Sequence, residues 1–144
     1  MHDRVVELAR KAHRDHWLMS GDEGTGDRLA KLVTDTWQAS VIAEDLHRFS
    51  VEVPIATNLR ERIDVVDMTD GIAYELKVSP NNAHFEFYRD IFKVIVARDS
   101  GLPELKRFVF LVPEAAAKKL LANLGGAVVA DAHKIGLSIQ VVGL

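Results

Sequence analysis

The run KRFVFLV at residues 106–112 constrains this chain most. After its two cations come five consecutive apolar side chains. Successive side chains of a strand point to opposite faces, so a strand that is apolar at every position has two apolar faces, and both must be covered. An open sheet with one wet face cannot hold it. The residues just before it supply one cover. Ser79 and Pro80 break an extended segment, Asn81 or Asn82 can cap a helix, and residues 83–98 follow at helical spacing. Phe85, Phe92, Ile95 and Val96, with Tyr88 and Ile91, are predicted to face the sheet. Strand, helix and strand in that order imply a right-handed crossover, which makes the apolar strand parallel to one that precedes the helix.

The preceding strands are legible as well. RIDVVDM (residues 62–68) and IAYELKV (residues 72–78) flank Asp70-Gly71, a tight-turn signal because glycine accepts positive φ. SVEVPI (residues 50–55) alternates and is rich in Val and Ile, stopping near Pro54. Two helices come first. Residues 3–18 place Val5, Val6, Leu8, Ala9, Ala12 and Trp17 at helical spacing. Residues 27–48 carry Leu29, Leu32, Val33, Trp37, Val41, Ile42 and Leu46, leaving a narrow polar sector at Lys31, Thr34, Gln38 and Asp45. Such a helix is predicted to be covered on more than one side. The intervening SGDEGTG at residues 20–26 reads as a loop. Beyond the apolar strand, Pro113 opens a helix that Gly125 and Gly126 are predicted to close. Residues 127–136 fit a helix or a strand, and LSIQVVGL ends the chain as a strand.

These elements describe an α/β protein with a central mixed sheet of three antiparallel strands, a crossover helix and a parallel strand, flanked by helices. At 144 residues it is read as a single domain: an N-terminal helix in residues 1–20, a core in 27–112, and a C-terminal helix and strand in 113–144. The absence of cysteine excludes disulfides, thiolate metal sites and cysteine nucleophiles. Any metal must be held by oxygen or imidazole. A net charge of −3 argues against broad coating of nucleic acid through phosphate contacts, though it allows a local basic patch. No apolar run approaches a membrane span and the N-terminal residues lack a signal-peptide core, so a cytoplasmic protein without membrane contact is expected.

The candidate chemistry lies in the hairpin. In IAYELKV, alternation places Glu75 and Lys77 on one face, about 7 Å apart by the strand rise. Asp64 stands on the adjacent strand, on the face opposite Ile63 and Val65. Two converging carboxylates repel unless they share a cation, and a hard divalent ion takes one or two carboxylates together with water and phosphate oxygens. A nearby lysine can activate water or stabilise charge on an attacked phosphate. The combination suits phosphodiester hydrolysis.

Ile63-Asp64 followed by Glu75-Leu76-Lys77 resembles the motif of the PD-(D/E)XK nucleases, the restriction-endonuclease-like superfamily. The order of elements in residues 27–112 is similar to that group's core of helix, three antiparallel strands, crossover helix and strand. Ile63 stands where the usual proline precedes the aspartate. The resemblance implies a nuclease acting on DNA with Mg²⁺ or Mn²⁺, in which Asp64 and Glu75 hold the metal and Lys77 helps to activate water. It also implies a homodimer or larger assembly, or alternatively a nuclease-like module that binds or assembles without cutting. Many members add an acid from the first core helix, for which Glu44 and Asp35 are the candidates, with Glu44 preferred. Arg62, Tyr88 and Arg89 are candidate substrate contacts. Tyr88 also reads as a core residue with its hydroxyl at the rim.

Overall fold

The computed structural model describes residues 1–19 and 26–144, so the loop read at residues 20–26 lies, apart from Gly26, outside the described residues. Helix α1 (His2–His13) continues into a π-helical turn at Arg14–Leu18 and is followed by α2 (Gly26–Glu44). Three strands come next, β1 (Phe49–Pro54), β2 (Arg62–Asp67) and β3 (Ile72–Leu76), then the crossover helix α3 (Ala83–Ser100) and β4 (Arg107–Val112). The chain ends with α4 (Glu114–Leu121), α5 (Leu124–Asp131), a 3₁₀ turn (Ala132–Ile135) and β5 (Ser138–Gly143).

The strands form one mixed sheet in the order β1-β2-β3-β4-β5. β1, β2 and β3 are successively antiparallel, whereas β4 runs parallel to β3 and β5 parallel to β4. The apolar run therefore lies between two parallel neighbours, and residues 108–112 are all buried. Val109 and Leu111 join Val5, Val33, Trp37 and Tyr74 in a cluster under α1 and α2. Phe108, Phe110 and Val112 join Phe87, Val94 and Leu120 in a cluster under α3 and α4. Alternation along one strand thus feeds two cores, giving a sheet between two helical layers.

Several sequence expectations are corrected. On α3 the sheet is faced by Phe87, Ile91, Val94 and Ala97, while Phe85 and Phe92 are 80% and 67% exposed. The buried stripe is set by fit to Phe108 and Phe110, whose rings meet Phe87 at 6.4 and 5.4 Å, rather than by the largest side chains on the helix. On α2 only Val33, Trp37, Gln38 and Val41 are buried, and Leu32 is exposed. Through that stripe Trp37 reaches the Val5 carbonyl of α1 and Gln38 reaches β1 and β2, and the helix stops at Glu44, short of Leu46. Gly125 and Gly126 do not close α4 but lie in the first turn of α5. A Cβ on Gly125 would stand 2.6 Å from the Leu120 carbonyl oxygen, and the two helices meet in a turn too close for a side chain there. Residues 127–135 are helical, and Gly136 ends them in a left-handed turn.

The closed end of the β2-β3 hairpin is a four-residue loop, with Asp67 and Ile72 as its last pair. Asp67 is fully buried, and its Oδ1 accepts hydrogen bonds from the Thr69 and Asp70 amides, both at 3.0 Å. Gly71 has φ +65°, and a Cβ there would lie 2.1 Å from the Glu104 carbonyl oxygen. Both the positive φ and the missing side chain are required at this site. Gly71→Ala is expected to cost about 2–3 kcal/mol. Chemical denaturation would measure it, and a loss under about 0.5 kcal/mol would show that the 104–105 backbone yields freely.

Candidate functional site

At its other end the hairpin opens. The β2-β3 ladder runs from Asp67 opposite Ile72 to Val65 opposite Tyr74 and stops there. The next position would set Asp64 opposite Glu75. Instead the Leu76 amide donates to the Asp64 carboxylate, at 2.9 Å from Oδ2, so a side chain takes the place of a strand carbonyl. The distortion reaches β1. Pairing is regular at Val51 with Val65 and at Val53 with Ile63, but Glu52 between them has φ +50°, an uncommon conformation for a residue with a Cβ. Ile63 consequently joins the α3-side cluster and Val65 the opposite one, which corrects the expectation that they share a face. Gln38 of α2 spans the kink, donating through Nε2 to the Asp64 carbonyl at 2.9 Å and to Glu52 Oε1 at 2.8 Å.

Glu75 faces α3 and is buried. There it meets Lys93, whose Nζ lies 2.6 Å from Glu75 Oε1 and 3.1 Å from Asp90 Oδ1. The same ammonium donates a hydrogen bond to the Arg62 carbonyl at 2.6 Å. Asp90 and Lys93 are themselves buried on the stripe with which α3 covers the sheet. Lys93 therefore holds Glu75 in a close ion pair, with the like charge of Asp90 beside it.

Three carboxyl groups thus share one ammonium in the interior, and their acidities reflect it. Burial pushes the Asp64 carboxyl up to about 6, against the opposing pull of the Leu76 amide and Lys93. Burial also raises Glu75 well above the ordinary carboxylate range, with repulsion from Asp64 and Asp90 added. Asp90 is raised by burial despite Lys93. Burial works against the Lys93 charge, yet Glu75 and Asp90 outweigh it and hold the ammonium above its usual value. The cluster is short of positive charge.

The remaining sequence candidates are not brought to this cluster. Lys77 lies beyond the end of β3, where alternation no longer governs its direction, and its side chain makes no ion pair with Asp64 or Glu75. It lines a cavity of about 550 Å³ together with Leu76, Val78, Asn81, Lys31 and Thr34. Glu44 does not join Asp64 and Glu75, because it pairs with Arg4 of α1 at 2.8 Å. Asp35 pairs with Lys31 at 2.7 Å on the exposed side of α2. The guanidinium of Arg62 donates to the Glu52 carbonyl at 2.9 Å, and only its own carbonyl reaches the cluster. Arg89 is exposed, 3.7 Å from Glu86. Tyr88 is half-buried with its ring 5.5 Å from that of Phe87, a packing contact at the core's margin.

Sequence reasoning missed Gln38, Asp90 and Lys93. A signal for the last two was present: in Phe87, Asp90, Ile91, Lys93, Val94, Ala97, charged residues interrupt an otherwise apolar helical stripe. A charge at a core-facing position requires a partner.

Among the described residues no three His, Asp or Glu side chains converge as a ready-made metal site. A hard divalent ion needs only one or two protein carboxylates, since water and substrate complete its shell. Asp64 and Glu75 fit that demand in donor type and adjacency, and Glu75 Oε1 is a buried oxygen that already faces a cation, the Lys93 ammonium at 2.6 Å. No family model, curated protein or solved structure matches the chain. None of its described helices is long and apolar enough to cross a membrane.

Proposed function

We propose that the protein is a Mg²⁺- or Mn²⁺-dependent nuclease that hydrolyses phosphodiester bonds of DNA, in the manner of the PD-(D/E)XK group that its hairpin resembles. The observation that carries this reading is the opening of the β2-β3 ladder at Asp64 and Glu75, which leaves two carboxylates side by side in a cluster short of positive charge. The order of α2, three antiparallel strands, α3 and a parallel strand is the order that the resemblance implies.

In this reading Asp64 and Glu75 hold the ion. When bound, the ion acts as a Lewis acid on a phosphate oxygen and lowers the pKa of the attacking water. The chain does the positioning. The Leu76 amide orients the Asp64 carboxylate, and Gln38 fixes the Asp64 backbone. Lys77 presents its charge to the cavity that begins one residue beyond Glu75, where it meets a substrate phosphate.

The test is cleavage of single-stranded, double-stranded and branched DNA with Mg²⁺ or Mn²⁺. Cutting should stop in chelator and fall by about 10²–10³ in Asp64→Ala and Glu75→Ala. If no substrate is cut, or if Asp64→Ala cuts as well as the parent, the proposal fails. A second reading, a nuclease-like module that binds or assembles without cutting, draws on a separate observation. Phe85 and Phe92 lie two turns apart on one face of α3 and are largely exposed, the kind of apolar surface a partner covers. Metal-independent DNA binding or self-association without cleavage would favour it.

A further inference from the structure

We propose that Lys93 is a resident cation that keeps Glu75 set for a divalent ion and hands it over when the ion enters, withdrawing onto Asp90 and the Arg62 carbonyl. The inference rests on the metal assignment just given and concerns what the chain does before and during binding.

Three features support it. First, Lys93 is anchored independently of Glu75. Its hydrogen bond runs to the Arg62 carbonyl at 2.6 Å, and Asp90, one helical turn away on α3, stands at 3.1 Å. Loss of Glu75 would leave the ammonium with an acceptor and a counter-ion. Second, the contact with Glu75 is a close ion pair. Oε1 lies 2.6 Å from Nζ, so the ammonium already occupies a cation position at that oxygen. Third, the charges balance only with both cations present. Asp64, Glu75 and Asp90 bring three carboxyl groups to the single ammonium of Lys93, an excess of anionic groups that a divalent ion would match. Displacing Lys93 from the cluster altogether would restore part of that excess. A shift from Glu75 to Asp90 does not.

Without Lys93, Glu75 would face Asp64 and Asp90 with no cation, and β3 would be pushed away from α3. The lysine is therefore a positioning residue. Because ammonium and ion share Glu75, their mutual repulsion lowers the affinity for the ion, and its removal should raise it.

The experiment is Mn²⁺ titration by calorimetry, with thermal melts in chelator and in Mn²⁺, on the full chain and on Glu75→Ala, Lys93→Met and Asp90→Asn. Lys93→Met keeps the side-chain length without the charge. It should melt lower than the parent in chelator, recover in Mn²⁺ by more than the parent gains, and bind Mn²⁺ about tenfold more tightly. Asp90→Asn keeps the shape but removes the fallback counter-ion, and should bind Mn²⁺ more weakly than the parent. If Lys93→Met does not fold in chelator, the weakened binding of Asp90→Asn decides. If the parent binds Mn²⁺ and Glu75→Ala does not, but Lys93→Met binds no better than the parent, the handover is overturned and the metal assignment stands. If Lys93→Met binds and the parent does not, Lys93 excludes the ion instead of yielding to it, and both the handover and the nuclease reading fall. If neither binds, both are overturned.

Discussion

Arg48→Met is expected to destabilise the fold by about 3–5 kcal/mol, the cost typical of stranding one member of a buried ion pair. Asp67 has no exposed surface, and its Oδ2 accepts from Arg48 Nε at 3.0 Å and from Nη2 at 2.7 Å. The same guanidinium closes on Asp70, so one side chain locks the loop between β2 and β3 to the entry of β1. Methionine fills the space of the arginine stem but leaves the Asp67 carboxylate with only two backbone amides. The more exposed Asp70 contact adds little by comparison. Combining the change with Asp67→Asn removes the stranded charge, so the double variant should be more stable than the sum of the single losses. Urea denaturation of the four proteins measures this cycle. A single-variant cost under about 1 kcal/mol would mean that water reaches Asp67 after all.

The same local chemistry shows what was readable in the sequence. The sheet was, because KRFVFLV demands cover on both faces and the hairpin and crossover leave little choice of neighbours. Asp64 and Glu75 were singled out by spacing, and they are adjacent because β2 and β3 are successive antiparallel strands. Periodicity could not show where the ladder stops. Lys77 was assigned the face of Glu75 by alternation, yet β3 ends at Leu76. The third acid was sought on α2, where Glu44 and Asp35 find lysine or arginine partners at the surface. The interior acid is Asp90, on a helix whose aromatic residues drew attention to the wrong stripe. Phe85 and Phe92 are large but point outward, while Asp90 and Lys93 take core positions because the ammonium there pairs with both Asp90 and Glu75. The pairing of Glu75 with Lys93 joins a strand to a helix, so periodicity within α3 can flag an interior charge but does not name its partner on β3.

The buried carboxyl cluster also sets the direction in which stability responds to pH. In metal-free buffer the cluster is expected to make the protein more stable as pH falls from about 7.5 to about 4.5, against an opposing contribution from His2 and His13, which burial holds below the usual imidazole value. The Asp64 carboxyl has a folded-state pKa of about 6 against an ordinary value of 3.8. Between those values the folded chain holds a proton that the unfolded chain has released. The stabilisation is therefore fully present below the unfolded value and is lost as pH rises through the folded one. For Asp64 alone the full span is on the order of 3 kcal/mol, about two pKa units at 1.36 kcal/mol each. Glu75 and Asp90 are displaced in the same direction and add to the slope. Asp64→Asn is neutral throughout, so it should flatten the profile and exceed the parent in stability near neutral pH. Thermal melts of both proteins in chelator across this range provide the measurement. If the parent loses stability steadily on acidification, or if Asp64→Asn keeps the parent's slope, the interior carboxyl groups are better solvated than their surroundings imply. A rising profile would mean that acid relieves the same surplus of negative charge that the proposed divalent ion would relieve at neutral pH.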